Sequence, residues 1–518
     1  MPIKGLIKKG EYFDSVTLMR IGKELSQIKG VQDAAVVMAT RENKAILAAS
    51  GLYQAQYDRT SDADLIISVK AGSPSILDSI IKKAQENLAK SRKKTESSVQ
   101  DHKPTNIDSA VDCLPGANLA LISVAGKYAS GQAMKALQKG LHVMLFSDNI
   151  PMEKEIELKK FATKKGLLVM GPDCGTAIIN SVPLAFSNAV SRGNIGIVAA
   201  SGTGLQEITS IISNEGAGIS QAIGTGGRDV KKDVGGITFI DSIRALSKDP
   251  STKILVLASK PPHETVIRKI LSETRKTKKP VVAVFLGAKN GTLKGKNIHE
   301  AMTFEEAALK AVALFNEDDP KRVNSDITQR DADLKKEISV KLKRYRLKGK
   351  YLRGLYSGGT FCAEAQVILG NALKEIHSNA PLGKSRKLVN SLKSIGHAII
   401  DLGEDEFTAG RPHPMIDFSL RNKRIIEEAA DKDTKAILID VVLGYGSNLN
   451  PGADIASAVE KAARKIPVIA SVTGTENDPQ IRSRVIKELR QSGAIVLPTN
   501  AAACRFAGSI IRGGANAC

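Results

Sequence analysis

Ile195-Gly-Ile-Val-Ala-Ala-Ser201-Gly202-Thr203-Gly204 reads as an apolar strand that opens into a Gly/Ser/Thr turn and continues as a helix. The pattern recurs as Leu355-Tyr-Ser357-Gly358-Gly359-Thr360 and as Ile437-Leu-Ile-Asp-Val-Val-Leu-Gly444-Tyr-Gly446-Ser447. Glycine lets the backbone approach a ligand closely, and the first turn of a helix leaves amide N–H groups unpaired beside the positive end of its dipole. Each turn is therefore a candidate cradle for a phosphate or carboxylate, set against the alternative of a tight βα turn with no ligand. No nucleotide motif is completed. Gly202-Thr-Gly204-Leu-Gln-Glu207 and Gly224-Thr-Gly226-Gly-Arg-Asp229 lack the third glycine of the dinucleotide fingerprint, and Gly383-Lys384-Ser385 has Ser378 where a P-loop needs glycine.

Working outward, the 518 residues have room for three or four domains. Residues 1–90 alternate helix-like and strand-like patterns: helix at Ser15 to Ile28, strand at Val31 to Met38, helix at Glu42 to Ala49, strand at Asp64 to Lys70, helix at Ile76 to Ala89. This predicts a small α+β domain. The polar run Lys90 to Pro104 has too little apolar content to pack and reads as a linker. From Asn118 a βαβ rhythm sets in, predicting parallel-sheet units over 117–190, 193–315 and 351–511, with the charged stretch Asn316 to Lys350 joining the last two. The fold class is α/β, with Rossmann-like and flavodoxin-like parallel-sheet domains behind a small N-terminal α+β domain.

Cys113, Cys174, Cys362, Cys504 and Cys518 show no C-x-x-C spacing, which argues against a disulfide framework or a zinc site, and no metal is expected. No run of about eighteen apolar residues is present and no signal opens the chain, so no membrane association and a cytoplasmic location are expected. The formal charge of +21 is spread widely, aromatics are 4% and Trp is absent. A nucleic-acid surface concentrates its cations and interleaves stacking rings. The basic surface therefore reads as one that attracts small anionic metabolites, and the cluster Lys341, Lys343, Arg344, Arg346, Lys348, Lys350 and Arg353 as a solvated linker.

Three ordered segments carry a family resemblance: Gly171-Pro172-Asp173-Cys174, Gly193-Asn-Ile-Gly-Ile-Val-Ala-Ala-Ser201-Gly202-Thr203, and Gly218-Ile-Ser-Gln-Ala-Ile-Gly224-Thr-Gly226-Gly227. They resemble the α subunit of succinyl-CoA synthetase. Residues 351–511 resemble the carboxy-terminal ligase domain of the β subunit, through Ala436 to Gly446 and Pro467-Val-Ile-Ala-Ser-Val-Thr-Gly474-Thr-Glu476-Asn477. The fused order, Leu6-Ile7-Lys8-Lys9-Gly10 at the start and Gly410-Arg411-Pro412-His413-Pro414-Met415-Ile416-Asp417 are together similar to the FdrA family.

The resemblance implies an anion clamp in which Ser201, Gly202, Thr203 and Gly204 supply one half and Gly444, Gly446 and Ser447 the other. It would hold phosphate or carbamoyl phosphate as substrate. The synthetase phosphohistidine loop is not reproduced, since Asn297-Ile298-His299-Glu300-Ala301 lacks the flanking glycines, and His299 reads as an ordinary surface histidine. No G-x-T-G-x-x-G loop precedes Asn118, which argues against CoA, and no segment remains for an ATP-grasp domain. Arg411, His413 and Asp417 sit on a loop stiffened by two prolines and offer a planar anion fork, a group titrating near neutrality and a carboxylate. They are the catalytic candidates, with a rigid structural loop as the equal alternative. Cys174 is read as a small buried thiol. The family implies a subunit of an oxamate carbamoyltransferase in allantoin and purine breakdown, assembled with other transferase subunits. An ADP-forming acyl-CoA ligase subunit using His299 is the alternative.

Overall fold

The computed structural model describes residues 2–11, 13, 15–96, 104–289, 291–293, 295, 297–345, 347–408 and 411–513. Arg346, Gly410 and Cys518, and residues 97–103 of the expected linker, lie outside the described residues. The chain divides into two compact units, residues 1–113 with 404–413 and residues 114–403 with 414–518.

The smaller unit is built on an antiparallel sheet with Leu65–Ala71 between Ile3–Lys8 and Val31–Met38. Side chains alternate across a strand. Leu65, Ile67 and Val69 accordingly join Leu18, Ile21 and Leu25 of the Ser15–Ser26 helix and Ile80, Ala84 and Leu88 of the Leu77–Glu96 helix in one core. Ile66, between them in sequence, packs with Leu47, Leu52 and Tyr57 in a second. The Leu77–Glu96 helix runs through Lys90, where the sequence reading begins a linker.

Among the described residues, the larger unit holds three sheets. A three-stranded parallel sheet runs Leu119–Ile122, His142–Leu145, Val169–Met170. One seven-stranded sheet has Arg192–Ala200 between Ile219–Gly224 and Ile254–Ser259, with Val281–Phe285 and Ile298–Ala301 beyond, all parallel. The other is parallel throughout, with Tyr351–Tyr356 between His397–Asp401 and Thr434–Val442, then Val468–Thr473 and Ile495–Leu497. A parallel strand covered on both faces needs apolar residues at consecutive positions. Thr434–Val442 is buried at every position, which fits its unbroken apolar run.

Two features escaped the periodicity. Thr176–Ile179 and Val182–Ala185 form an antiparallel hairpin that extends the first seven-stranded sheet. Its turn residues Asn180 and Ser181 both have positive φ, 50° and 68°, as a two-residue type I′ turn requires. Between Asn316 and Lys350, where a linker is expected, Val323–Leu342 is helical. Its Ile338 and Leu342 are buried in the core of the second seven-stranded lobe, and Arg330 reaches the buried Glu305 at 2.7 Å.

Candidate functional site

The Arg192–Ala200 strand delivers Ser201 to the head of the Gly202–Asn214 helix. Ser201 has extended backbone, and its Oγ accepts the Gly204 N–H at 3.1 Å. Tyr351–Tyr356 likewise delivers Ser357 and Gly358 to the head of the Gly359–Gly370 helix. Both lie at carboxyl ends of parallel strands, where α/β sheets bind ligands.

These two helix starts meet. Ser201 Oγ donates to Thr360 Oγ1 at 3.0 Å. A Cβ placed on Gly358 would stand 2.8 Å from Thr203 Cγ2 and 2.9 Å from Thr203 Oγ1, so only glycine permits this approach. Thr203 is 9% exposed, and its buried Oγ1 has no hydrogen-bond partner among the described residues. The amides of Gly202, Thr203, Gly359 and Thr360 belong to first helical turns and have no partner within their helices. Two helix N-termini, each a source of N–H and O–H donors, thus begin in contact with one another.

The amides just before the second helix are already used. Asp440 accepts Ser357 N at 2.8 Å, Gly358 N at 2.9 Å and the Ser357 hydroxyl at 2.9 Å. Asp401 is buried against Gly359, where an added Cβ would meet Asp401 Oδ2 at 2.5 Å. Deeper along both helices stand buried carboxylates. Glu207 accepts the Asn500 N–H at 3.0 Å and the Thr473 hydroxyl. Glu364 accepts Phe304 N at 2.9 Å and Asn500 Nδ2 at 2.8 Å. Burial pushes the Glu364 carboxyl up to about 7.

The Gly444–Ser447 turn lies beside the second turn of the Gly202–Asn214 helix, where Gln206 Nε2 reaches Leu443 O at 3.3 Å. Its glycines serve packing. Gly444 N donates to Gln480 Oε1 at 3.0 Å and Tyr445 N to Ser187 O at 2.8 Å. A Cβ on Gly446 would stand 2.9 Å from the Phe186 ring. Ser447 is buried, and its Oγ has no hydrogen-bond partner among the described residues. The turn seen to contact Ser201 and Thr203 is Gly358–Thr360.

The proline loop is divided. Arg411, exposed, and His413, half-buried, belong to the smaller unit, and Asp417 to the larger. Asp417 Oδ1 accepts the Ser419 N–H at 3.1 Å and hydroxyl at 2.7 Å, securing the start of the Ser419–Ala430 helix. Met415 and Ile416 are held by Asn448, whose N bonds Met415 O at 2.8 Å and whose Nδ2 bonds Ile416 O at 3.1 Å. His299 lies within the Ile298–Ala301 strand in register with Val282, and burial lowers its pKa. Cys174 is buried, and burial pushes its thiol up to about 12.

Residues 192–315 match the succinyl-CoA ligase like flavodoxin domain, and residues 355–510 the CoA-ligase domain. Residues 1–104 match a domain described as AllF, heavy metal-associated. The uncharacterized protein YahF of Escherichia coli (strain K12) is 39% identical over 503 residues, 96% of either chain. The chain belongs to the FdrA family.

This FdrA chain also resembles subunit alpha 1 of the ADP-forming succinate–CoA ligase of Archaeoglobus fulgidus, at 27% identity over 33% of this chain and 58% of that one. Subunit SqwL of an ADP-forming sulfoacetate–CoA ligase from an Acholeplasma species is 28% identical over 35% of this chain and 62% of that one. The chain therefore carries succinyl-CoA ligase-like and CoA-ligase domains, and spans about three-fifths of the length of these two relatives. The heavy-metal description of the N-terminal domain finds no donor set here. Residues 1–104 contain no cysteine and one histidine, His102, and no cluster of His, Cys, Asp or Glu suited to a metal occurs among the described residues. No helix among the described residues is long and apolar enough to cross a membrane.

The Ser357–Thr360 turn has the same strand–glycine–helix signature as Ser201–Gly204, so the sequence marks it as a cradle. What the sequence lacks is the pairing of these two turns. Asp440 and Glu364 are visible as single carboxylates inside apolar runs, a pattern that signals a buried charge with a dedicated partner.

Proposed function

We propose that this chain is the group-transfer subunit of a heteromeric enzyme that forms or cleaves an acyl-phosphate anhydride, with the phosphate held between the Ser201–Thr203 and Gly358–Thr360 turns. The observation that carries the proposal is the direct abutment of two helix N-termini with a buried, unpartnered hydroxyl on Thr203. It draws on residues of the larger unit alone.

The reaction we assign is phosphorolysis of oxalurate. A phosphate oxygen attacks the ureido carbonyl, the bond from that carbon to the amide nitrogen breaks, and the phosphate proton passes to the departing nitrogen. The products are oxamate and carbamoyl phosphate. Opposed amides favour such a step because they fix the phosphate so that one of its oxygens is positioned to attack. The one comparison that leans toward this reading is the match of residues 1–104 to the AllF-type domain. The purified chain, with the subunits that copurify with it, is incubated with oxalurate and phosphate. Carbamoyl phosphate is the expected product, and its absence overturns the assignment.

ADP-forming acyl-CoA ligation is the second reading, favoured by the CoA-ligase domain match and by the named activities of two relatives. It requires an ATP-grasp partner and a phosphoryl carrier. Its signature is acid-labile phosphate on His299 together with CoA-dependent turnover.

A further inference from the structure

Arg421, two residues into the Ser419–Ala430 helix, is completely buried. Its Nη1 lies 2.6 Å from Asp440 O, 3.2 Å from Asp440 Oδ1 and 3.3 Å from Ser357 Oγ, and the guanidinium stacks 4.2 Å from the centre of the Phe418 ring. Nε and Nη2 are buried without a hydrogen-bond partner among the described residues. Stability alone explains this poorly, because a buried guanidinium with two unpaired nitrogens is costly and an apolar side chain would fill the space at less expense.

The position of Asp440 supplies a reason. Its carboxylate grips Ser357 N and Gly358 N directly behind the amides that face Ser201, and Asp401 adds a second carboxylate against Gly359. An anion entering beside the Gly359–Thr360 turn therefore meets two fixed negative charges. Among the described residues, Arg421 is the cation paired with Asp440.

We propose that Arg421 is a positioning residue that balances Asp440, so that Asp440 can fix the geometry of the Ser357–Gly358 turn without repelling the oxyanion bound next to it. The inference rests on the proposed phosphate site. It assigns the anion affinity of that site to a charge balance carried by residues that do not touch the ligand.

The test is titration of the full chain with inorganic phosphate at low ionic strength, for wild type, Arg421→Gln, Asp440→Asn and the double variant. Arg421→Gln leaves Asp440 uncompensated and weakens phosphate binding about tenfold, the scale of a like charge a few ångströms from the site. Asp440→Asn keeps an acceptor oxygen for the Ser357–Gly358 turn while leaving Arg421 uncompensated, and tightens binding. The double variant returns to within about threefold of wild type, as charge balance requires. A purely structural pair gives losses of one sign that persist in the double variant, and that result overturns the inference alone. If wild-type chain binds no phosphate, the inference falls together with the proposed site. Thermal unfolding of each variant confirms that the folded chain is being titrated.

Discussion

Ser201 and Thr360, 159 residues apart in sequence, share a hydrogen bond of 3.0 Å between side-chain oxygens. Ser201 caps the start of one helix and Thr360 stands in the first turn of the other, so the two helices begin against each other. Thr203 fills the space beside the Gly358 backbone, so the junction is close-packed.

Gly358→Ala places a methyl group within 2.9 Å of Thr203 Oγ1 and forces the two turns apart. Overpacking of this kind costs about 1–3 kcal/mol. Urea unfolding is expected to show a loss in that range, while turnover falls by more than tenfold. Equal turnover in the variant and wild type would show that the spacing of the turns does not matter to the chemistry.

Ser201→Ala removes the cap on Gly204 N together with the bridge to Thr360. An N-cap of this type contributes about 1 kcal/mol. The expected result is a stability loss of that order with weakened phosphate affinity, read by urea unfolding and calorimetric titration of the same preparation.

Lys159 is fully buried between Glu155, at 2.9 Å, and Asp229, at 2.7 Å. Asp229 also accepts the first amides of the Ile237–Lys248 helix, Thr238 N at 3.2 Å and Phe239 N at 2.8 Å. Lys159→Met leaves Asp229 without its cation and leaves Glu155, among the described residues, paired with Arg228 alone. Removing one partner of a buried ion pair costs about 3–5 kcal/mol. Denaturant unfolding of the variant checks this, and a loss below about 1 kcal/mol would contradict the assigned role.

Glu364 gives the larger unit a pH dependence of defined sign. Its pKa rises from 4.5 to about 7, chiefly through burial and further through Glu207 and Glu305. A carboxyl with a raised pKa in the folded state takes up a proton on folding, so its contribution is complete below pH 4.5 and is lost as the pH climbs through about 7. Unfolding free energies at pH 5 and pH 8 should therefore differ less in Glu364→Gln than in wild type. An unchanged difference would remove Glu364 as its source.

The strands and glycine turns were legible because each is encoded locally, by an apolar run and a residue free to turn. The Asn180–Ser181 hairpin turn was legible in principle, but its flanking strands are only four residues each and carry little periodicity. The Val323–Leu342 helix was hidden because most of its residues are polar or charged and few of its side chains, Val323, Ile338 and Leu342, are buried. Which turns face each other was not legible at all. The Gly444–Ser447 and Ser357–Thr360 turns share one signature, and only tertiary packing reveals that the first accommodates Phe186 and Ser187 while the second meets Thr203.

The central claim concerns where a small oxyanion binds, and an anomalous-scattering analogue such as selenate locates it directly. Crystals soaked in selenate are predicted to show an anomalous peak within hydrogen-bonding distance of the Gly202–Thr203 and Gly359–Thr360 amides. A peak at the Gly444–Ser447 turn, with the Ser201–Thr360 junction empty, would contradict the account.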